Sequence, residues 1–307
     1  MHMGKRKETK TGRVILIAAF LYSLLSVWEC SGAAADRKME TRFNAAQGKL
    51  NKNTIEKIHR RIGGRESFTF IVLGDNRGAG RQFKTVLEQA GAHKPDFIIH
   101  TGDFTDCGKN EEYRHIIELC SRGEIPVVFC PGNHDLRGNG AQNFKQFFGR
   151  LNFVFDINGR YRFICINNNN KKGNPVITKK RRWRYENDRG IEDKSMGMIE
   201  EALHAEKKHF IIMHIPPPVG QFRFKAFTWN AASFLGLLRQ KAPLISRVFC
   251  GHIHGYGEAR YGDVRCVVTG GAGAPLQIGR DGIVNRFHYV LVTVQQDRVS
   301  HKLCFVD

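Results

Sequence analysis

Short apolar runs alternate with amphipathic helical patterns along the chain, and this alternation constrains the fold more than any other feature. The runs Phe68–Gly74 and Phe97–His100 are rich in β-branched and aromatic residues, whereas apolar residues recur at helical spacing from Gln82 to His93. Runs that are apolar on both faces and alternate with helices indicate an α/β sheet covered on both sides. The same patterns predict strands over 125–130, 209–213 and 246–250, and helices over 111–121, 195–207 and 231–240.

The second half of the sequence also predicts a hairpin and a set of closing strands. Asn158-Gly159 lies between the apolar runs 153–157 and 160–166, and Asn-Gly is a strong signal for a two-residue hairpin turn. Further strands are predicted over 264–269, 287–294 and 299–305. We find no internal sequence repeat.

The composition is that of an ordinary globular protein, with 41% hydrophobic and 25% charged residues. We expect residues 67–307 to form one α/β domain, preceded over 36–66 by a linker with a short helix. No window of 18 or more apolar residues exists, which excludes a multi-span membrane protein. The net charge of +19 favours anionic partners without specifying a fold or a reaction.

Residues 1–35 have the pattern of a signal peptide. Basic residues from Lys5 to Arg13 precede the apolar run 14–27, and Ala33-Ala34-Ala35 offers a cleavage site before Asp36. We therefore expect an exported protein, periplasmic or extracellular. The alternative is an uncleaved membrane anchor formed by residues 14–28.

Export implies an oxidising compartment, so the cysteines bear on the fold. Most of them lie within or at the ends of apolar runs, where a thiol is usually a small buried hydrophobe. We expect them mainly in the core, with one disulfide as the alternative. The seven that follow the leader are Cys107, Cys120, Cys130, Cys165, Cys250, Cys266 and Cys304.

Polar side chains follow the predicted strands at the point where each strand ends. In open α/β sheets the carboxyl ends of the strands line the binding crevice, and glycines there let the backbone turn sharply. Mixed carboxylate and imidazole ligands suit first-row metals. The motifs are Gly74-Asp75-Asn76-Arg77, Gly102-Asp103-Phe104-Thr105-Asp106, Gly132-Asn133-His134-Asp135, the lone His214 and Gly251-His252-Ile253-His254.

This series of motifs resembles the calcineurin-like metallophosphoesterase superfamily, whose pattern is D-x-H, G-D-x-x-D, G-N-H-D, a lone His and G-H-x-H. The resemblance covers roughly residues 68–275. It implies a four-layer αββα sandwich with two divalent metal ions (Mn, Fe or Zn) at the strand ends. It also implies hydrolysis of an anionic phosphomonoester or phosphodiester by a metal-activated water.

The resemblance further implies a role for each motif residue. Asp103 would bridge the metals, since two cations about 3.5–4 Å apart need a shared anionic ligand. His134 would contact the phosphoryl group and help to protonate the leaving oxygen, with Asp135 orienting it. One metal would be completed by Asn133, His214 and His252, and the other by Asp75 and His254.

Arg77 departs from the family pattern, because it stands where the D-x-H motif has its histidine. A guanidinium does not ligate a metal, so the Asp75 and His254 site has one imidazole fewer. That site would bind its metal more weakly, take an additional water or stay empty. Arg77 itself would hold phosphate bidentately beside the metals. The alternative is a surface arginine beside a degenerate site.

Two further segments carry alternatives. The basic cluster 179–184, which includes Trp183, is either a solvated loop or a nucleic-acid contact, and nucleic acid is not the favoured partner. An aromatic segment follows His214 and would form either a wall for the substrate's leaving group or ordinary core; it contains Phe222, Phe224, Phe227 and Trp229.

The sequence as a whole predicts an exported, metal-dependent phosphoesterase. One rival is a nuclease of the same superfamily, which would use the basic cluster to hold a strand. The other is a non-catalytic metal- or phosphate-binding protein that is disabled at Arg77. The sequence identifies no stable protein partner.

Overall fold

The computed structural model describes residues 48–171, 189–203 and 206–307. The leader over 1–35 and the basic cluster over 179–184 lie outside these ranges. The helices are α1 (Leu50–Ile62), α2 (Arg81–Ala92), α3 (Asn110–Ser121), α4 (Gly140–Phe147), α5 (Asp193–Ala202) and α6 (Ala231–Gln240). Short 3-10 helices span Gly220–Lys225 and Ala242–Leu244.

Thirteen strands are present within the same ranges. They are β1 (Ser67–Leu73), β2 (Phe97–His100), β3 (Val127–Phe129), β4 (Phe153–Ile157), β5 (Tyr161–Ile166), β6 (Asn170–Lys171), β7 (Arg189–Gly190), β8 (Lys208–Met213), β9 (Ile245–Cys250), β10 (Tyr256–Tyr261), β11 (Val264–Thr269), β12 (His288–Gln295) and β13 (Arg298–Phe305).

Most strands belong to two mixed sheets. The first has the order β13-β12-β1-β2-β3 and the second the order β10-β11-β9-β8-β5-β4, while β6 and β7 form a separate pair. Strands β1, β2 and β3 run parallel, as do β5, β8, β9 and β11, whereas β12, β13, β10 and β4 pair antiparallel with their neighbours. Parallel central strands bring the ends that carry the motifs to one edge of each sheet.

An aromatic core fills the space between the two sheets. The Phe70 ring of β1 stacks on Phe97 of β2, with centroids 5.1 Å apart. The same ring meets Phe163 and Phe210 of the second sheet edge-on, each at 5.4 Å. Such offset and edge-on contacts are the favoured geometries of aromatic pairs, and they lock the sheets face to face.

Helices cover the outer faces of both sheets. On the second sheet, Ile199 of α5 and Phe234 of α6 are fully buried in one cluster with strand residues such as Ile211. On the first sheet, α2 and α3 bury Phe83 and Tyr113. The order helix, sheet, sheet, helix confirms the predicted four-layer α/β sandwich.

Helix α1 is an integral part of this core. Its Ile58 and Ile62 belong to the cluster between the sheets. Asn51 exchanges two hydrogen bonds with the backbone of Phe129 in β3, at 2.9 and 3.0 Å. The stretch expected to be a linker with a short helix therefore contains a helix that is fixed to the first sheet.

The sequence patterns locate most elements to within two residues but miss α4, β10 and the short pair β6 and β7. The helix predicted over 195–207 ends at Ala202, because Leu203 already has an extended backbone. Strand β10 lies at the edge of the second sheet, where β11 is its one neighbouring strand in the sheet order. It contains Gly257 and the polar residues Glu258 and Arg260, so it lacks the apolar signal of a buried strand. The predicted hairpin is present, with Asn158 at φ 53° and Gly159 at φ 68°.

The seven cysteines in the described ranges are all free, so no disulfide joins them. Five are buried, as the core interpretation predicts: Cys130, Cys165, Cys250, Cys266 and Cys304. That interpretation is wrong for Cys107, which is exposed, and Cys120 is only partly covered. Cys107 lies on the loop after β2, where the chain has already left the sheet.

None of the helices in the described ranges combines the length and the hydropathy needed to cross a bilayer.

Candidate metal centre

Three strand ends bring an acidic and imidazole cluster together. Asp75 follows β1, Asp103 follows β2 and His214 follows β8. All three are buried, and one ligand atom from each lies within 4.8 Å of those of the other two. Residues that are far apart in sequence thus form one cluster of donor atoms suited to a cation.

The loops that carry this cluster hold unusual backbone conformations. Asp75, Asp103 and His252 have φ values of 61°, 56° and 69°, in the left-handed region that non-glycine residues rarely adopt. The loops are tied to one another, because the Asp75 N–H donates to the Gly102 carbonyl at 3.0 Å. The His252 N–H in turn donates to Asp75 Oδ2 at 2.9 Å. Strained conformations that are held in this way are typical of functional sites.

At two motif positions, neighbouring loops approach the backbone so closely that only glycine fits. A Cβ atom at Gly132 would collide with the backbone N and Oδ1 of Asp103. A Cβ atom at Gly251 would collide with Asp75 Oδ2 and lie 2.9 Å from the Thr101 hydroxyl. Glycine at these positions lets the loops close around the carboxylates.

Four buried polar atoms at the strand ends lack a hydrogen-bond partner among the described residues. They are Asp75 Oδ1, Asp103 Oδ2, Asn133 Oδ1 and His214 Nε2. Native structures rarely leave buried polar atoms unsatisfied, and a bound ion can satisfy a cluster of such atoms at once. Carboxylate, amide and imidazole atoms are also the correct donors for a divalent transition metal, so the residues fit such an ion.

Backbone carbonyls fix the orientation of two histidine rings. His214 Nδ1 donates to the Thr101 carbonyl at 3.0 Å, and His254 Nδ1 donates to the Pro275 carbonyl at 2.7 Å. Each ring therefore directs Nε2 away from its carbonyl partner. Metal-binding histidines commonly hold the second nitrogen in this way.

The imidazoles separate the cluster into two halves. His214 Nε2 lies 3.3 Å from Asp103 Oδ1, whereas His254 Nε2 lies 3.6 Å from Asp75 Oδ1. His252 belongs with the first half, because its ring meets that of His214 edge-on at 5.2 Å. In the expectation from the family resemblance, the first half would hold one metal and the second half the other.

The charge balance of the cluster favours a cation. Burial opposes the charged form of His214, but the Asp103 and Asp75 carboxylates outweigh it and raise its pKa to about 9. Burial would raise the pKa of Asp103, yet the His214 imidazole reverses this and the net direction is downward. Burial together with the His214 charge lowers the pKa of His252 well below its usual range, so that ring stays neutral and able to ligate.

His134 is held differently from the expectation. Its Nδ1 donates to the Asp106 carbonyl at 2.7 Å, and its Nε2 accepts from Arg137 Nη2 at 2.9 Å. Burial lowers the pKa of His134, and the charges of Arg77 and Arg137 lower it further against the opposing effect of Asp103. The ring is therefore a neutral imidazole that carries its proton on Nδ1.

Asp135 does not orient the His134 ring, and this corrects the expected role. Its Oδ2 accepts from the backbone N–H groups of Asp103 and Gly132, each at 2.7 Å. Its Oδ1 accepts from the N–H and the hydroxyl of Thr105 at 2.8 and 2.9 Å. Because both oxygens are occupied by donors from these loops, Asp135 positions the backbone of the cluster instead.

Arg77 lies at the rim of the cluster. Its backbone adopts φ 49°, and its N–H donates to the Asp103 carbonyl at 3.0 Å. Its Nε is buried and has no hydrogen-bond partner in the described part of the chain. An arginine in a strained conformation with an unsatisfied donor is unlike an ordinary surface arginine.

Sequence reasoning missed His100, Asp106 and Arg137 as residues that shape the site. His100 is fully buried at the end of β2, and burial together with the His214 charge lowers its pKa to about 3. It immediately precedes the Thr101-Gly102-Asp103 turn, which was the available signal. Asp106 and Arg137 lie within or next to quoted motifs, but their contact with His134 depends on tertiary structure.

Most of the aromatic segment packs in or against the core of the second sheet. Phe222 and Phe227 are buried in the core beneath the second sheet. Phe224 is only partly buried and lies under the guanidinium of Arg280, 4.7 Å from the ring centroid. The core interpretation is therefore correct for Phe222 and Phe227.

Comparisons with known proteins agree with this geometry. A family model described as calcineurin-like phosphoesterase matches residues 68–256. The chain is 23% identical over 176 residues to the glycerophosphodiester phosphodiesterase GpdQ of Enterobacter lignolyticus, and the alignment covers 55% of this chain and 59% of that protein. It is 22% identical over 194 residues to the 3',5'-cyclic adenosine monophosphate phosphodiesterase CpdA of Vibrio vulnificus, and that alignment covers 62% of this chain and 66% of the relative.

The fold is also that of a solved dimetal phosphatase from Danio rerio. The TM-score is 0.57 at 14% identity, and the alignment covers 78% of this chain and 96% of that one. The chain therefore shares its fold with that phosphatase, while it spans less than two thirds of the length of the GpdQ relative.

Proposed function

The chain belongs to the calcineurin-like phosphoesterase family, and from this premise we propose that it hydrolyses phosphoesters at the buried cluster of Asp75, Asp103 and His214. The observation that carries the proposal is the set of unsatisfied donor atoms at the strand ends. These atoms belong to residues that the family resemblance assigns to its metals, and no protein group among the described residues satisfies them. The cluster is the site to which we assign the reaction.

The proposal assigns two divalent metal ions, Mn, Fe or Zn, to this cluster. Asp103, Asn133, His214 and His252 would hold one ion, with Asp103 shared, and Asp75 and His254 would hold the other. Divalent cations at such a site lower the pKa of water and polarise phosphoryl oxygens. The second ion has one imidazole fewer because Arg77 occupies the family's histidine position.

The chain's own side chains supply the remaining steps. Arg77 binds the phosphoryl group at the rim, where its unsatisfied Nε adds a charge-assisted hydrogen bond. His134 would contact the phosphoryl group through Nε2, since Nδ1 is committed to the Asp106 carbonyl. Asp135 fixes the Asp103 and Thr105 backbones by hydrogen bonds and so holds the cluster in place.

The substrate is an anionic phosphomonoester or phosphodiester. The names of two relatives record a glycerophosphodiester and a cyclic nucleotide as their substrates, which supports a phosphoester for this chain. The nuclease alternative depends on the basic cluster 179–184, which lies outside the described residues, and we do not favour it because neither relative's name records nucleic acid as a substrate. The non-catalytic alternative would keep the same donor set without turnover, and the family match favours the enzyme over it.

A substrate panel tests the proposal directly. Purified protein with added Mn²⁺ is assayed with an aryl phosphate, an aryl phosphodiester and single-stranded DNA. We expect hydrolysis of at least one aryl ester, and Asp103→Asn to reduce it by more than about 100-fold because the shared anionic ligand is lost. The matched control is Asp263→Asn, which alters an exposed carboxylate in the turn between β10 and β11.

Several outcomes would contradict the proposal. Metal-loaded protein that hydrolyses neither aryl ester would favour the non-catalytic alternative, and cleavage of DNA alone would favour the nuclease. Equal activity of the wild type and Asp103→Asn would place the reaction elsewhere.

We also propose that residues 1–35 direct export and are removed before Asp36, on the strength of their charge and hydropathy pattern. N-terminal sequencing of the protein from its native cells decides this. A chain that begins at Asp36 supports a periplasmic or extracellular enzyme, whereas an intact Met1 in the membrane fraction supports the anchor.

A further inference from the structure

We propose that Arg137 is a second phosphate-binding arginine, and that with Arg77 it makes this site selective for substrates with a terminal phosphoryl group over phosphodiesters. The inference rests on the proposed phosphoesterase function and specifies its substrate class. It departs from the diester substrates that the names of the two curated relatives record.

The position of Arg137 follows from the His134 contacts. Arg137 Nη2 donates to His134 Nε2 at 2.9 Å, and Arg137 Nη1 donates to the Asp106 carbonyl at 3.1 Å. The guanidinium therefore covers the ring nitrogen that the mechanism directs toward the phosphoryl group. A phosphoryl group bound at His134 Nε2 would therefore lie beside the Arg137 guanidinium.

Arg137 is held only by neutral acceptors. Within the described ranges, neither Arg137 nor Arg77 has a carboxylate oxygen within the 4.0 Å of an ion pair. Arg137 is exposed, so its guanidinium can turn from the ring to an incoming anion without disturbing the core. Its two neutral contacts are weaker than the charge-assisted bonds that a phosphate would offer.

The two arginines converge on one place. Asp103 links them, because the Arg77 N–H donates to its carbonyl at 3.0 Å and the N–H of His134, whose ring Arg137 contacts, donates to its Oδ1 at 2.7 Å. Two like charges near one imidazole repel each other, and an anion bound between them offsets that repulsion. A phosphoryl group bound at His134 is the anion that this arrangement would accommodate.

The number of charges and oxygens favours a terminal phosphoryl group. A terminal phosphate carries close to two negative charges at neutral pH and three acceptor oxygens, whereas a diester has a single charge and one free oxygen fewer. Each planar guanidinium can bind two oxygens at once. Two such groups therefore gain more from a monoester than from a diester.

Two substrates with the same leaving group isolate this effect. We would measure kcat/KM for 4-nitrophenyl phosphate and for bis(4-nitrophenyl) phosphate with wild type, Arg137→Ala and Arg137→Lys, at saturating Mn²⁺. Arg137→Ala is expected to lower the monoester value by about 10- to 100-fold and the diester value by less than about threefold. Arg137→Lys should recover part of the loss, because a point charge replaces the planar fork only in part.

Arg298→Ala is the matched control, since Arg298 is an exposed arginine at the start of β13. It should leave both values unchanged. Binding of inorganic phosphate to the same proteins, measured by calorimetry, provides a readout that does not require turnover. Arg137→Ala should weaken phosphate binding by a factor similar to the monoester loss.

Equal losses on the two substrates, or unchanged phosphate affinity in Arg137→Ala, would overturn the selectivity proposal. If the wild type hydrolyses neither ester, the proposed function fails, but the phosphate titration still tests Arg137. Weaker phosphate binding in Arg137→Ala would then support the clamp in a non-catalytic protein, and unchanged binding would refute it.

Discussion

Asn76 Oδ1 accepts a hydrogen bond from His100 Nε2 at 2.6 Å, and both residues are buried between the loop after β1 and the end of β2. The other ring nitrogen of His100 accepts from the Gly102 N–H at 3.1 Å. A single neutral imidazole therefore ties the loop that carries Asp75 and Arg77 to the turn that carries Asp103. The pair fixes the separation of two of the proposed metal ligands.

His100→Phe should destabilise the protein and loosen the metal cluster. The ring volume is kept, but the buried Asn76 Oδ1 and Gly102 N–H lose their common partner, which costs about 2–4 kcal/mol. Urea unfolding of the metal-free protein measures this directly. Mn²⁺ affinity should fall as well, because Asp75 is no longer held.

His93→Phe is the control for this substitution. His93 directly follows α2, at the end of that helix away from the Asp75 loop. Its Nε2 lies 2.9 Å from the hydroxyl of Tyr289 in β12. Loss of this hydrogen bond should lower the free energy of unfolding by about 1 kcal/mol and leave Mn²⁺ affinity unchanged. Equal effects of the two substitutions on Mn²⁺ affinity would show that the His100 contact has no role in the site.

Arg77 substitutions should separate phosphate binding from metal binding. Arg77→Ala is expected to lower kcat/KM by about 30- to 150-fold, since a charge-assisted bidentate contact contributes about 2–3 kcal/mol. Metal content should change little, because the guanidinium is not a ligand. Arg77→Lys should recover part of the rate. An Arg77→Ala protein that matches the wild type in rate and metal content would refute the phosphate-binding role.

Metal binding should occur with two unequal affinities. Asp103, Asn133, His214 and His252 form a complete set, whereas Asp75 and His254 lack the imidazole that Arg77 replaces. Calorimetric titration of metal-free protein with Mn²⁺ should resolve a tighter and a weaker event. His254→Ala should remove only the weaker one, and Arg77→His should strengthen it. Two equally tight events in the wild type would contradict this expectation.

Asp156 should stabilise the fold in a pH-dependent manner. It bonds Arg162 Nε at 2.7 Å and Lys207 Nζ at 2.7 Å, and hydrogen bonding to Arg162 lowers its pKa to about 2 against the opposing effect of burial. A depressed folded-state pKa gives stability that is present above the unfolded value of about 3.9 and is lost as the pH falls through about 2.

Asp156→Asn should therefore lower the free energy of unfolding by about 1 kcal/mol at pH 7, a value discounted for partial exposure. About half of that difference should remain at pH 3. Urea unfolding at the two pH values measures it. Asp297→Asn, which breaks an exposed pair with Arg160, should change stability by less than about 0.5 kcal/mol. A loss for Asp156→Asn that is the same at pH 7 and pH 3 would exclude the charge effect.

The positions of the metal-ligand candidates could be predicted from sequence because they depend on local patterns. Apolar runs define the strands, and parallel strands place their carboxyl ends at one edge, so Asp75, Asp103 and His214 were expected together. The Asn158-Gly159 turn is equally local, since both residues adopt positive φ within the turn itself. The ends of β2, α6 and β11 were predicted to the residue for the same reason.

The tertiary structure alone decided which groups hold these side chains. Asp135 was expected to contact the adjacent histidine, yet its partners include the Asp103 N–H, 32 residues away. His214 is oriented by a carbonyl 113 residues distant, and Asn51 joins α1 to β3 across 78 residues. Hydrogen-bond partners depend on how whole layers pack, and periodicity within a short window carries no information about them.

The same distinction explains why the contact of Arg137 with His134 and the exposure of Cys107 could not be predicted from sequence. Sequence spacing places Arg137 near His134, but only the fold shows that its guanidinium covers Nε2. Cys107 directly follows the second motif in sequence and is exposed in the structure, because the loop leaves the buried region after Thr105. The sequence by itself determined the strand ends and the residue types gathered there. Packing decided the partner, protonation and exposure of each side chain, since these arise from contacts between elements that are far apart in the chain.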